Sequence, residues 1–294
     1  MQIKFILNKE FVKFINLIKN TIYEMEKCLV CKSINCLSII NQKLMINKCK
    51  ICKAIFLEKE YQQLKDEPYV KVSKIKELYL KQIQKPIEVK IINYYMNYLK
   101  KNTNMNFRSV LDIGAGYGYL IKKFGEMKVS GDGIESNGFK NKFAVTKNIK
   151  IGYFDENFKL KKKYDLICFT QVLNYLRNTK QILDNVKKFL NDEGLIFIVT
   201  TNPESKYVIE DYSNASEESY YSNMLYSKKN FEELEDIGLK LLDYTTYRED
   251  IAIDFIRGNK VTTFLKYRMN LKKPIVEDPE GNIAMILLKK IEKS

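Results

Sequence analysis

The chain has 294 residues, 45% hydrophobic and 12% aromatic, enough for one large domain and a small one and too apolar for wholesale disorder. Fifty Lys and Arg outnumber 36 Asp and Glu, a net charge of +14, but only five of the cations are Arg and the lysine doublets are scattered. That pattern reads as biased composition and solvated faces more than as a nucleic-acid surface built on bidentate Arg contacts. Histidine is absent, which excludes Ser-His-Asp and Cys-His nucleophilic arrangements, an imidazole general base and imidazole metal ligands.

Residues 1–25 interrupt their apolar positions with Lys4, Lys9, Glu10 and Lys13, the pattern of an amphipathic helix and not of a signal peptide. The chain has no run of 18 apolar residues, so no membrane span is expected, and a cytosolic protein follows. Cys28-x2-Cys31 and Cys49-x2-Cys52 are 17 residues apart, the spacing of a four-cysteine zinc ribbon, here over residues 26–60. The alternatives are disulfides, disfavoured in a reducing cytosol, and chance. A zinc ion on four cysteines has no open position and is therefore expected to be structural. Cys36 and Cys168 are left as ordinary thiols. Residues 61–101 carry helical patterns broken by Pro68 and Pro86 and read as a helical linker.

From residue 102 onward strand and helix patterns alternate. "SVLDIG" is a strand and 117–127 a helix; "KVSGDGIE" is a strand followed by a helix to about 147; "IKIGYF" is a short strand. "YDLICFT" is an apolar strand, "NTKQILDNVKKFL" a helix and "GLIFIVTT" a buried strand. A polar loop over 201–226, a helix at "KKNFEELEDIG" and strands at "LKLLDYTTY" and "NIAMILLKKI" complete the chain. The alternation predicts a parallel, doubly wound α/β sheet.

Within "VLDIGAGYGYL" the loop glycines are Gly114, Gly116 and Gly118, and Tyr119 stands where a dinucleotide fingerprint needs its third glycine. Asp112, two residues ahead of Gly114, would repel a pyrophosphate and attract a cationic group. Glu135 follows Asp112 by 23 residues, near the spacing at which a second-strand acid reads a ribose. The plain alternative makes these acids strand-end caps and the glycines a tight turn.

These motifs, with "GIES", "YDLICFTQVLNYL" and "LNDEGLIFIVTTNP" in order, resemble class I S-adenosylmethionine-dependent methyltransferases over about residues 85–290. With its ribbon the chain resembles bacterial methyltransferases that carry a zinc-binding N-terminal domain and often act on sugars of surface glycans or natural products. The resemblance implies a Rossmann-like seven-stranded methyltransferase sheet with an N-terminal helix and a small zinc ribbon. It places the cofactor, S-adenosylmethionine, on Asp112, Gly114, Gly116, Gly118 and Glu135, with Asp155 toward the adenine. Many relatives carry Glu-His where this chain has Asn174-Tyr175, and a histidine in the segment matching "MLYSKKNFEELEDIGL". Without them, the candidates for work on the acceptor are Gln171, Asn174, Tyr175 and the tyrosines of 201–226. The expected protein is a methyltransferase of a small molecule, a sugar first. The alternatives are an RNA methyltransferase using the ribbon to hold RNA, and a catalytically inactive binding module. The 201–226 loop has a net charge of −4 and five tyrosines, which suits a sugar better than a polyanion. Oligomeric state stays open.

Overall fold

The structure is a computed structural model that describes residues 27–41, 44–57, 87–176, 178–206, 208, 224–248 and 278–291. The helix expected over 1–25, most of the 61–101 stretch and most of the 201–226 loop lie outside these residues. No helix among the described residues is long and apolar enough to cross a membrane.

The N-terminal part forms a meander of β1 (Cys36–Asn41), β2 (Leu44–Cys49) and β3 (Ile55–Leu57). Helix α1 (Ile87–Asn102) leads to the large sheet. Its strands are β4 (Ser109–Ile113), β5 (Ser130–Glu135), β6 (Ile149–Ile151), β7 (Tyr164–Thr170), β8 (Leu190–Thr201), β10 (Leu239–Tyr247) and β11 (Ile283–Lys290). Between them lie α2 (Tyr119–Glu126), α3 (Gly138–Lys142), α4 (Thr179–Val186), the two-residue β9 (Met224–Leu225) and α5 (Lys228–Glu232). The seven strands run in the order β10-β11-β8-β7-β4-β5-β6, with β11 antiparallel to both of its neighbours and the other pairs parallel.

Strand periodicity divides the core into two layers. Val110, Leu166, Cys168, Phe197, Val199 and Met285 pack with α1 and α2. Leu111, Ile113, Ile167, Phe169, Ile196 and Ile198 pack with α4 and α5. Helix α1 falls in the stretch read as a linker, yet Ile92, Tyr95, Met96 and Leu99 are buried in the sheet's own core. Physically it belongs to the sheet.

Two further differences have local causes. Helix α3 stops at Lys142 and not near 147, because the chain turns after Phe143 so that the Val145 N–H donates to the Tyr117 carbonyl at 2.8 Å. The helix read from "KKNFEELEDIG" is a short α5, opened by a Ser227–Asn230 capping box, followed by a 3-10 turn ending at Gly238. The largest difference is in the ribbon. Its sheet has four strands, β1-β2-β3-β9, and the fourth comes from the segment between β8 and β10. Val30 and Met224 pack into both the ribbon cluster and the main core. Ribbon and large sheet are therefore interleaved.

Candidate active site

Strand β4 is the switch point of the large sheet: the chain runs from it to β5 and β6 on one side, and β7 and β8 lie on the other. Ligands of open α/β sheets bind at the carboxyl ends of strands at such a point. Asp112 is the penultimate residue of β4, 1% exposed, with Gly133 of β5 and Cys168 of β7 opposite it. Burial, with Asp112 alongside, pushes the Cys168 thiol up, so it stays neutral.

The loop after β4 hangs from one acceptor: the N–H groups of Gly114 and Ala115 both donate to the Ile134 carbonyl, at 2.8 and 3.0 Å. Gly114 has φ +74°, and a Cβ there would lie 2.6 Å from Cγ2 of Val172. The turn after β7 thus presses directly on the loop. Gly116, at φ +56°, differs: a Cβ there would meet nothing within 4 Å. Its bare backbone faces open space beside Asp112's strand end, a cradle that a side chain would fill. Glu135, 6% exposed, closes the loop from β5. Its Oε2 accepts the Gly116 N–H and its Oε1 the Asn137 N–H, both at 2.8 Å, which leaves each oxygen a second lone pair. Gly118 caps α2 and packs on Thr146 and Ile149. Asp155 turns its Oδ1 onto the Asn157 N–H at 2.9 Å.

Gln171, Asn174 and Tyr175 share one turn but have three different environments. Gln171 sits at φ +57°, a left-handed backbone that non-glycine residues seldom adopt, and its N–H donates to the Val199 carbonyl. Its side-chain Nε2 is buried with no hydrogen-bond partner among the described residues. Asn174, 2% exposed, accepts from the Thr200 hydroxyl and donates to Thr201 Oγ1 at 3.2 Å. Each end of that amide makes one hydrogen bond to β8, which anchors the turn on that strand. Tyr175 is 47% exposed, at the rim. Thr200 and Thr201 were not candidates from the sequence; their partner lies 26 and 27 residues away and no local pattern announces it. Of the acidic loop, Tyr207, Tyr212, Tyr220 and Tyr221 and four of five acids lie outside the described residues.

The four cysteines converge. The Sγ atoms of Cys28, Cys31, Cys49 and Cys52 all lie within 4.8 Å of one another, with Cys28–Cys52 and Cys31–Cys49 at 3.6 Å. A tetrahedron with zinc–sulfur bonds of about 2.3 Å has edges of about 3.8 Å, so the donor set fits zinc. "CLVCK" and "CKICK" fold alike: Lys32 and Lys53 both have φ 63°, and their N–H groups return to the carbonyls of Cys28 and Cys49. The N–H groups of Ile51 and Cys52 point at Cys49 Sγ, each at 3.4 Å. A hydrogen bond from Cys28 holds the Cys52 thiol well below the usual range and Cys28 correspondingly above it. Cys36 stays outside the cluster, its thiol pushed up to about 11 by burial.

A buried acid at the end of the central strand, a glycine loop and a second-strand acid, on seven strands of which one is reversed, define a Rossmann-like methyltransferase fold. The chain belongs to the methyltransferase-domain family, whose model matches residues 76–244. It is 25% identical over 123 residues to the ubiquinone biosynthesis O-methyltransferase of Rickettsia bellii, covering 39% of this chain and 51% of that protein. It is 29% identical over 143 residues to the malonyl-[acyl-carrier protein] O-methyltransferase 2 of Ilyobacter polytropus, covering 46% and 53%. The chain thus spans about half the length of these curated relatives. In fold it is similar to the plantazolicin methyltransferase BamL, solved with a triazolic desmethylPZN analog and SAH. That likeness has a TM-score of 0.52 at 19% identity and covers 79% of this chain and 95% of the other.

Proposed function

We propose that the chain transfers a methyl group from S-adenosylmethionine to a small-molecule hydroxyl, that of a sugar first. The observation that carries the cofactor is Gly116, open to space in the loop that leaves Asp112's strand and hydrogen-bonds to Glu135. The cofactor, when bound, supplies an electrophilic methyl on a sulfonium. Asp112 holds the ammonium of its amino-acid end, Gly114 and Gly116 let the backbone lie along it, and Glu135 offers its remaining lone pairs to the ribose hydroxyls. Asp155 stands on the adenine side. Gln171 offers its amide N–H to orient the acceptor, and Tyr175 borders the site. In a chain without histidine, alignment of the acceptor with the methyl supplies much of the acceleration.

The curated relatives named above are O-methyltransferases, which supports an oxygen acceptor. The acids and tyrosines of 201–226, in a chain of net charge +14, support a neutral polyhydroxyl partner over a polyanion. In the same reading the four cysteines hold a structural zinc, and thiolate ligands of this kind suit a reducing, cytosolic compartment. The test is calorimetry with SAH, then transfer of a labelled methyl from S-adenosylmethionine to panels of sugars, nucleotide-linked sugars and RNA. SAH binding that Asp112→Ala abolishes, with label on a sugar, is expected. Label on RNA, with steeply salt-dependent binding, overturns the sugar. SAH binding without transfer to any panel or cell extract favours a binding module, and no SAH binding sinks the reading.

A further inference from the structure

We infer that Asn230, in the first turn of α5, donates its side-chain amide to the Cys52 thiolate and completes the surroundings of the metal site from the methyltransferase core. This rests on the four cysteines holding a metal.

Metal thiolates carry excess negative charge: four of them around a zinc ion leave −2, which neighbouring N–H groups offset. The ribbon supplies such donors to Cys49 from its own turn, through Ile51 and Cys52 N–H. Around Cys52 the core contributes. The Ser227 hydroxyl, fully buried, donates to the Cys52 carbonyl at 2.5 Å. The Ser227 N–H donates to Asn230 Oδ1 at 3.0 Å, which fixes the plane of the Asn230 amide. Asn230 is 5% exposed, and its Nδ2 is buried with no hydrogen-bond partner among the described residues. A buried amide N–H left without an acceptor bears its full desolvation penalty. The β3–β9 pairing and the shared Val30 and Met224 bring the same two parts of the chain together. Asn230 is thus a positioning residue for the metal site, and metal loading clasps the ribbon to the core.

Asn230→Asp separates this role from helix capping, because the carboxylate keeps the Oδ1 acceptor for Ser227 and loses only the donor. Asn230→Ala loses both. Zinc affinity of the full-length chain is measured by competition with a chromophoric chelator, and cobalt substitution reads the thiolate-to-metal charge-transfer band. Calorimetry with SAH confirms that each variant is folded. The expected result is a 10–100-fold loss of zinc affinity in both variants, with a shifted cobalt band and unchanged SAH binding. An affinity within twofold of wild type in Asn230→Asp overturns the inference. So does a loss confined to Asn230→Asp, which would report charge repulsion alone. A wild-type chain that takes neither zinc nor cobalt removes the metal reading itself, a failure distinct from both.

Discussion

The glycine loop separates stability from binding, and two alanine substitutions test the separation. Both positions have positive φ, so each alanine incurs about 1–2 kcal/mol of backbone strain. At Gly114 the new methyl would also lie 2.6 Å from Cγ2 and 2.8 Å from Cβ of Val172, and Cβ cannot rotate away. Overpacking of that kind adds about 1–3 kcal/mol, so Gly114→Ala should destabilise the fold by about 2–5 kcal/mol. At Gly116 no atom lies within 4 Å of the methyl, so only the strain remains. The same methyl occupies the cradle, and SAH affinity should fall at least tenfold, about 1.4 kcal/mol. Urea unfolding reads the first quantity and calorimetry with SAH the second. If Gly116→Ala binds SAH as the wild type does, the open side of the loop is not the cofactor's place. If it unfolds as readily as Gly114→Ala, the contact argument is wrong.

Glu135→Ala should lower both SAH affinity and stability, since it leaves two backbone N–H groups without an acceptor at about 1–3 kcal/mol each, whereas Glu135→Gln should retain more of the stability; urea unfolding compares them. Burial pushes the Asp165 carboxyl up, but hydrogen bonds from Asn191, from the N–H groups of Arg108 and Ser109 and from the Ser109 hydroxyl outweigh it and hold the carboxyl below its usual range. A lowered folded-state pKa stabilises above the unfolded value of about 3.9 and is lost as pH falls through the folded one. Asp165→Asn should therefore cost stability at pH 7, and unfolding curves should show its deficit shrinking below about pH 4. Elemental analysis should find one zinc per chain, lost on substituting Cys28, Cys31, Cys49 or Cys52 and kept in Cys36→Ser. Chelation should expose 27–57 and the β9 strand to protease together while SAH still binds. Tyr220→Phe or Tyr221→Phe should raise the apparent KM for a sugar acceptor and leave SAH affinity unchanged; an unchanged KM removes the loop from the acceptor site.

The features legible in the sequence are those whose physics is local. Two Cys-x2-Cys turns carry their own geometry, down to a left-handed lysine after each, so their spacing alone predicts a four-thiolate cluster. Asp112, Gly114 and Gly116 lie within five residues of one another, and Val110, Leu111 and Ile113 mark the strand that carries Asp112 as buried. Their place at a strand end follows from the alternation of strands and helices. Glu135 follows by the length of one helix and one strand. What the tertiary structure decided depends on residues far apart in the chain. A two-residue strand such as β9 has no period to read, and only its pairing with β3 shows that the core completes the ribbon. Nothing in the sequence around Asn174 announces the hydroxyls of Thr200 and Thr201, and the packing of β7 on β8 brings them to its amide. Helix α1 has the same amphipathic pattern in a linker as on a sheet, and burial of Leu99 and Met96 against β8 and β11 assigned it to the sheet. Periodicity says that a face is apolar; only long-range packing says what covers it.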